Sequence, residues 1–200
     1  SSDDGETWTV TAKVASVNIE TGLHFGTCGG CQYRHLEHDH QVSAKAGILQ
    51  DQLSRIGRIT NPPIQAMVPS PLAWNYRNHI QFHLSHEGKP GYVGVNGRSI
   101  FPIQECHLME KDLDDVWRNL HFEPGLGLER VSLRLGAGGE VMMILESPSL
   151  PELELETGVS VVHLLDSEAV VMAGDDHLVM KVNGRPFRVS AGAFFQVNTS

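Results

Sequence analysis

Cysteine is scarce in this 200-residue sequence: three residues, an odd number, exclude a closed disulfide framework and leave metal ligation, redox chemistry or plain burial for the thiols. No run of about 18 apolar residues exists, which excludes a membrane-spanning helix. The first residues, SSDDGETWTV, lack a charged stretch followed by an apolar one, so no secretory signal is legible and a cytoplasmic location is expected. Positive charge is also short, with 15 Lys and Arg against 24 Asp and Glu. A net charge of −9 is the wrong sign for a chain whose whole surface attracts nucleic acid, so any RNA-binding face must be local. No internal repeat is visible. What is present is a globular composition: 40% apolar, 20% charged, and length enough for a real core. Most of the 11 histidines crowd into the first half, where a modest pKa shift adds positive charge.

Along the chain, Trp8–Val17 alternates apolar and polar residues and reads as a strand, the last of a larger element. His24–His40 is dense in Gly, Cys and His without periodicity and reads as a loop. Val42, Ala46, Leu49, Leu53 and Ile56 then fall on one helical stripe, with Asp39 a candidate N-cap and Gly57 a stop. After a Pro-rich stretch, Asn61–Pro71, the segment NYRNHIQFHLS puts Tyr76, Ile80, Phe82 and Leu84 on one strand face and Arg77, His79, Gln81 and His83 on the other. GYVGVNG and SIFPIQ read as short strands, and His107–Leu120 as an amphipathic helix. Gly136–Gly139 and Asn183-Gly184 read as hairpin turns, because strands and no helix follow them. The fold class is α+β, rich in antiparallel hairpins, with two main helices and no βαβ alternation.

Cys28-Gly-Gly-Cys31 is a C-x-x-C knuckle whose glycines let the backbone turn back so that two thiolates reach one site. Cys106 lies in a strand-to-helix turn and is the third candidate ligand. A zinc reading takes a fourth ligand from His24, His35, His38 or His40. An iron–sulfur reading wants four thiolates and finds three, while reduced cysteines without a metal remain the plain alternative. A thioredoxin-like pair is disfavoured, since CGGC is not placed in a βαβ unit.

The run His24-Phe25-Gly26-Thr27-Cys28-Gly29-Gly30-Cys31-Gln32 followed by His35 resembles the iron–sulfur signature of the uracil-C5 RNA methyltransferases. Trp74-x-Tyr76-Arg77-Asn78 is similar to that family's W-x-Y-R-N strand. Glu105-Cys106 resembles the place of its last cluster cysteine, and Phe194-Phe195-Gln196-Val197-Asn198 its F-F-Q-V-N motif. The resemblance implies a TRAM-like β-barrel tail over residues 1–20, a central α+β domain over 21–190 carrying the cluster and recognising RNA, and the start of a Rossmann-like methyltransferase domain over 191–200. It implies S-adenosylmethionine as cofactor, with Gln196 in its site, and an iron–sulfur cluster on Cys28, Cys31 and Cys106. Gly22 stands at the place of the family's first cluster cysteine. The cluster is therefore expected with three thiolates and a foreign ligand such as His24, absent, or replaced by zinc.

Methylation at C5 of uracil needs a thiolate to add to C6 and a base to remove the C5 proton. The resemblance implies that both lie beyond Ser200, so this chain alone is expected to be inactive and to serve substrate recognition. Arg77, Arg34 and His79 are the candidate RNA contacts, on structured tRNA or rRNA. A monomer without membrane association is expected. The competing reading is a freestanding zinc or thiol module that binds RNA or protein without catalysis.

Overall fold

The computed structural model describes residues 24, 26–29, 31–151, 158–166 and 168–198. The strand expected over Trp8–Val17, the barrel tail over 1–20, and Gly22 lie outside the described residues. What is described falls into two compact units, one within 32–69 and the other formed by 24–31 together with 70–198. The segment expected as one domain over 21–190 thus supplies both.

In the first unit the expected helix forms as α1, His38–Asp51, and runs into a π-helical turn at Gln52–Ile56. Gly57 closes it by donating its N–H to the carbonyl of Gln52 (2.9 Å). A Cβ on Gly57 would sit 2.7 Å from the carbonyl oxygen of Leu53, so only glycine allows this ending. Two details depart from expectation. Asp39 lies inside the first turn rather than at the N-cap, where its charge still favours the helix dipole. The apolar stripe is not buried: no α1 residue is, and Ile56 is 71% exposed.

In the second unit a seven-stranded sheet runs in the order β3-β2-β1-β4-β5-β6-β7. Its strands are β1 (His79–Leu84), β2 (Pro90–Val93), β3 (Ile100–Pro102), β4 (Arg130–Leu135), β5 (Val141–Glu146), β6 (Ser160–Leu165) and β7 (Glu168–Ala173). A separate hairpin pairs β8 (His177–Val182) with β9 (Arg185–Ser190), closed by Asn183 and Gly184 with φ of +49° and +75°, the two left-handed residues of a type I′ turn. The Gly136–Gly139 turn likewise joins β4 to β5. All neighbours in the large sheet are antiparallel except β5 and β6, which run parallel, in keeping with a fold rich in antiparallel hairpins. The second helix, α2, is shorter than expected, Lys111–Trp117.

The two-residue strand period explains how one sheet serves two cores. Met143 and Leu145 of β5 share a core with Leu133 of β4, Phe82 of β1 and Leu113 and Trp117 of α2. Their neighbours Met142 and Ile144 face the other way, onto Leu178, Met180 and Val189 of the β8–β9 hairpin. With both faces covered, β5 loses the polar alternation of a half-exposed strand, whereas β4 keeps it as Arg130, Ser132 and Arg134, the last two of which are buried.

Candidate functional site

The cysteine loop is held by backbone hydrogen bonds as well as by the packing of Cys28 on the first core. Cys28 bridges Gly94, Gly29 N–H donates to the Val93 carbonyl (3.2 Å) and Val95 N–H to that of Thr27 (3.2 Å), so the loop lies along the end of β2. Thr27 and Cys28 both donate to the carbonyl of His24, folding the chain back on itself. The glycines follow from this geometry: Gly26 has φ +80°, and a Cβ on Gly29 would lie 2.5 Å from the Val93 carbonyl oxygen.

His24 is buried, packs edge-on against Phe101 with ring centroids 5.1 Å apart, and its Nε2 accepts the Gln104 N–H at 2.9 Å. That nitrogen's lone pair is spent tying the loop to the turn that carries Cys106. Tyr92 of β2 is half-buried against the first core, as are Cys28 and Cys106. Burial, reinforced by Cys106 and Cys28, holds its phenol far above the ordinary tyrosine range. Cys28, Cys31 and Cys106 are all half-buried. Among the described residues no group of three or more His, Cys, Asp or Glu side chains is arranged to hold a metal ion. Three thiols, with the nearest histidine engaged elsewhere, do not fit a four-thiolate cluster.

The other candidates converge on the entry to β1. Arg77 forms a parallel bridge with Met109 and an antiparallel bridge with Asn198, and its carbonyl accepts the Glu110 N–H (2.9 Å). Asn78 N–H donates to the Val197 carbonyl (3.0 Å), and the Asn78 amide nitrogen lies 3.6 Å from the sulfur of Met180. Residues 193–197 form no strand of their own. Phe195 packs on the second core, whereas Phe194 is 83% exposed and Gln196 is exposed beside it. A cleft of about 270 Å³ borders this segment, lined by Asn78, Gly136, Ala137, Met180, Lys181 and Phe195 together with acidic Glu110 and Asp112.

Arg34 is buried. His79 is half-buried, and burial, followed by the charges of Arg134 and Arg77, pushes it down to about 4. It is neutral at physiological pH, opposite to the added positive charge expected of the histidines. Arg134, passed over in the sequence, is 3% exposed and donates to the carbonyls of Ser190 and Ala193, both at 3.0 Å, fixing the chain that leads to Phe194–Asn198. The sequence carries only a weak signal for it: Arg134 stands on the polar side of the alternating strand Arg130–Leu135, the same pattern a solvent-facing arginine would show.

The geometry defines an α+β unit in which a cysteine loop and an arginine-bearing strand entry are tied to the same turn. No family model matches the chain. Its sequence is similar to an uncharacterized RNA methyltransferase of Aquifex aeolicus, 27% identical over 88% of this chain and 45% of the relative. A shorter stretch is 35% identical to the 23S rRNA (uracil(1939)-C(5))-methyltransferase RlmD of Chromobacterium violaceum, over 46% of this chain and 19% of the relative. In structure it is similar to Pyrococcus abyssi tRNA (uracil-54, C5)-methyltransferase, crystallised with S-adenosyl-L-homocysteine, with a TM-score of 0.55 and 20% identity, over 86% of this chain and 48% of that one. The chain is thus similar to RNA methyltransferases along most of its length, in line with the resemblance its motifs carry, and the α+β class holds. It spans about half the length of the curated relatives that it matches along most of its own.

Proposed function

We propose that this chain is the RNA-recognition portion of an S-adenosylmethionine-dependent uracil-C5 methyltransferase of tRNA or rRNA, and that by itself it binds structured RNA without transferring a methyl group. The observation that carries the reading is the meeting at Arg77. Its backbone pairs with Met109, in the turn after Cys106, and with Asn198, so three motifs far apart in sequence close on one residue. Such convergence is how a scaffold sets recognition groups beside a reaction site.

The division of labour follows from the chemistry. A nucleophilic thiolate needs an electropositive, accessible setting, and Cys106 is instead half-buried against the first core. The cysteine loop acts here as a clamp that docks the β2 end onto the Cys106 turn, and no step of the reading runs through a cluster. Gln196, exposed in the segment that follows Arg134's anchor, supplies a neutral amide that donates and accepts without placing a second positive charge beside a sulfonium. In this reading residues 191–200 are the threshold of the cofactor domain.

The test is binding of a structured rRNA hairpin by fluorescence anisotropy across a salt series, beside a methyl-transfer assay with labelled S-adenosylmethionine. Weak, salt-dependent binding that favours the hairpin over duplex DNA, with no methyl incorporation, is expected. Equal affinity for hairpin, duplex DNA and heparin would overturn RNA recognition. Methyl transfer by this chain would overturn the division of labour.

A further inference from the structure

β1 places His79 directly across from Arg134 of β4, and Arg77, two residues before His79, shares its strand face. Each of the three has a buried nitrogen with no hydrogen-bond partner among the described residues: Arg77 Nε, His79 Nε2 and Arg134 Nε. Arg134's remaining bonds go to two carbonyls, which offer dipoles but no counter-charge. Four other arginines, Arg55, Arg118, Arg130 and Arg188, each meet a carboxylate within 2.8 Å. Arg77 and Arg134 form no such pair among the described residues. Two guanidinium groups in partial burial without an anion are costly, since desolvation is not offset by attraction. On a chain of net charge −9 that cost is out of keeping with the rest of the surface. The low depression of His79 to about 4 is consistent with the positive potential there.

We infer that Arg77, backed by the buried Arg134 across the β1–β4 ladder, forms an oxyanion site that takes a phosphate group. Arg77 is the contacting residue, because it is half-buried while Arg134 is sealed; Arg134 positions the site and supplies field through a low-dielectric layer. The planar fork of Arg77 suits two phosphate oxygens. Inorganic phosphate and the backbone of a nucleic acid present the same chemistry. Assigning the phosphate to RNA rests on the function proposed above.

The experiment compares melting of the whole chain in inorganic phosphate, about 50 mM, with chloride at equal ionic strength, where occupancy of a native-state site raises Tm by about 2 °C or more. Arg77→Met is expected to abolish the difference. His79→Glu, which supplies an internal carboxylate, is expected to abolish it too while raising Tm in chloride. No phosphate effect in the unaltered chain, or the same effect in Arg77→Met, overturns the site, and Arg77→Met decides alone if His79→Glu fails to fold. The hairpin-binding assay separates the sources. A phosphate effect through Arg77 without hairpin binding keeps the oxyanion site and removes RNA as its source. Hairpin binding without a phosphate effect through Arg77 removes the site and leaves RNA recognition standing.

Discussion

The cysteine loop and the β1–β4 ladder are positioned by different forces. The loop at 24–31 owes its place to a few backbone hydrogen bonds, two glycines and one histidine acceptor, with Cys28 and His24 resting on the rim of the core. The ladder owes its place to the deepest packing in the molecule, where Phe82 is 0% exposed and lies 5.6 Å from the Tyr92 ring and 5.7 Å from Trp117. A site built on packing is rigid and tolerates a buried charge at a known cost. A site built on backbone contacts opens more readily, because each hydrogen bond contributes only about 1 kcal/mol net.

The largest effect that separates the two regions is expected from the ladder's core. Phe82→Ala removes a fully buried ring and should cost about 3–5 kcal/mol in urea unfolding. A cost below about 1 kcal/mol would erase the contrast with the loop.

Next in size is acid sensitivity from His79. Its folded pKa is lowered from the ordinary 6.5 to about 4, so between these pH values the unfolded chain holds a proton that the folded chain does not. Stability therefore falls as pH drops from 6.5 toward 4, by up to about 1.4 kcal/mol per unit and on the order of 3 kcal/mol in all, while above 6.5 this group contributes no dependence. His79→Gln should remove most of that slope, measured as urea midpoints across the window.

The loop itself answers to a smaller change. Gly29→Ala forces a Cβ against the Val93 carbonyl and should cost about 1–3 kcal/mol, with Cys28 becoming several times more reactive toward a thiol reagent. His24→Ala, which removes the tie to Gln104, should cost about 1 kcal/mol and raise the same reactivity. Unchanged thiol reactivity in both variants would mean that the loop is held by something other than these contacts.

What the sequence makes legible follows the same division. Local rules read the turns at Gly136–Gly139 and Asn183-Gly184, the alternation of His79–Leu84 and the helix over His38–Asp51, because each is decided within a few residues. The parallel pairing of β5 with β6 is not readable, since strand direction is set by a connection that carries no helical pattern. Nor is the exposure of the α1 stripe, because periodicity says which residues share a face and not what covers it. At the site, the motifs single out Cys28, Cys106, Arg77 and Gln196 as candidates, but not that Arg134 stands opposite His79. That pairing comes from the register of β1 against β4.

The central claim, that this scaffold presents a local cationic contact to RNA through Arg77, is tested most directly by the salt dependence of hairpin binding in the unaltered chain and in Arg77→Ala. If Arg77 neutralises one phosphate, the log–log slope should become shallower by about 1 unit in the variant, with weaker binding at every salt concentration. An unchanged slope would contradict the claim and return Arg77 to the backbone role its bridges to Met109 and Asn198 already give it.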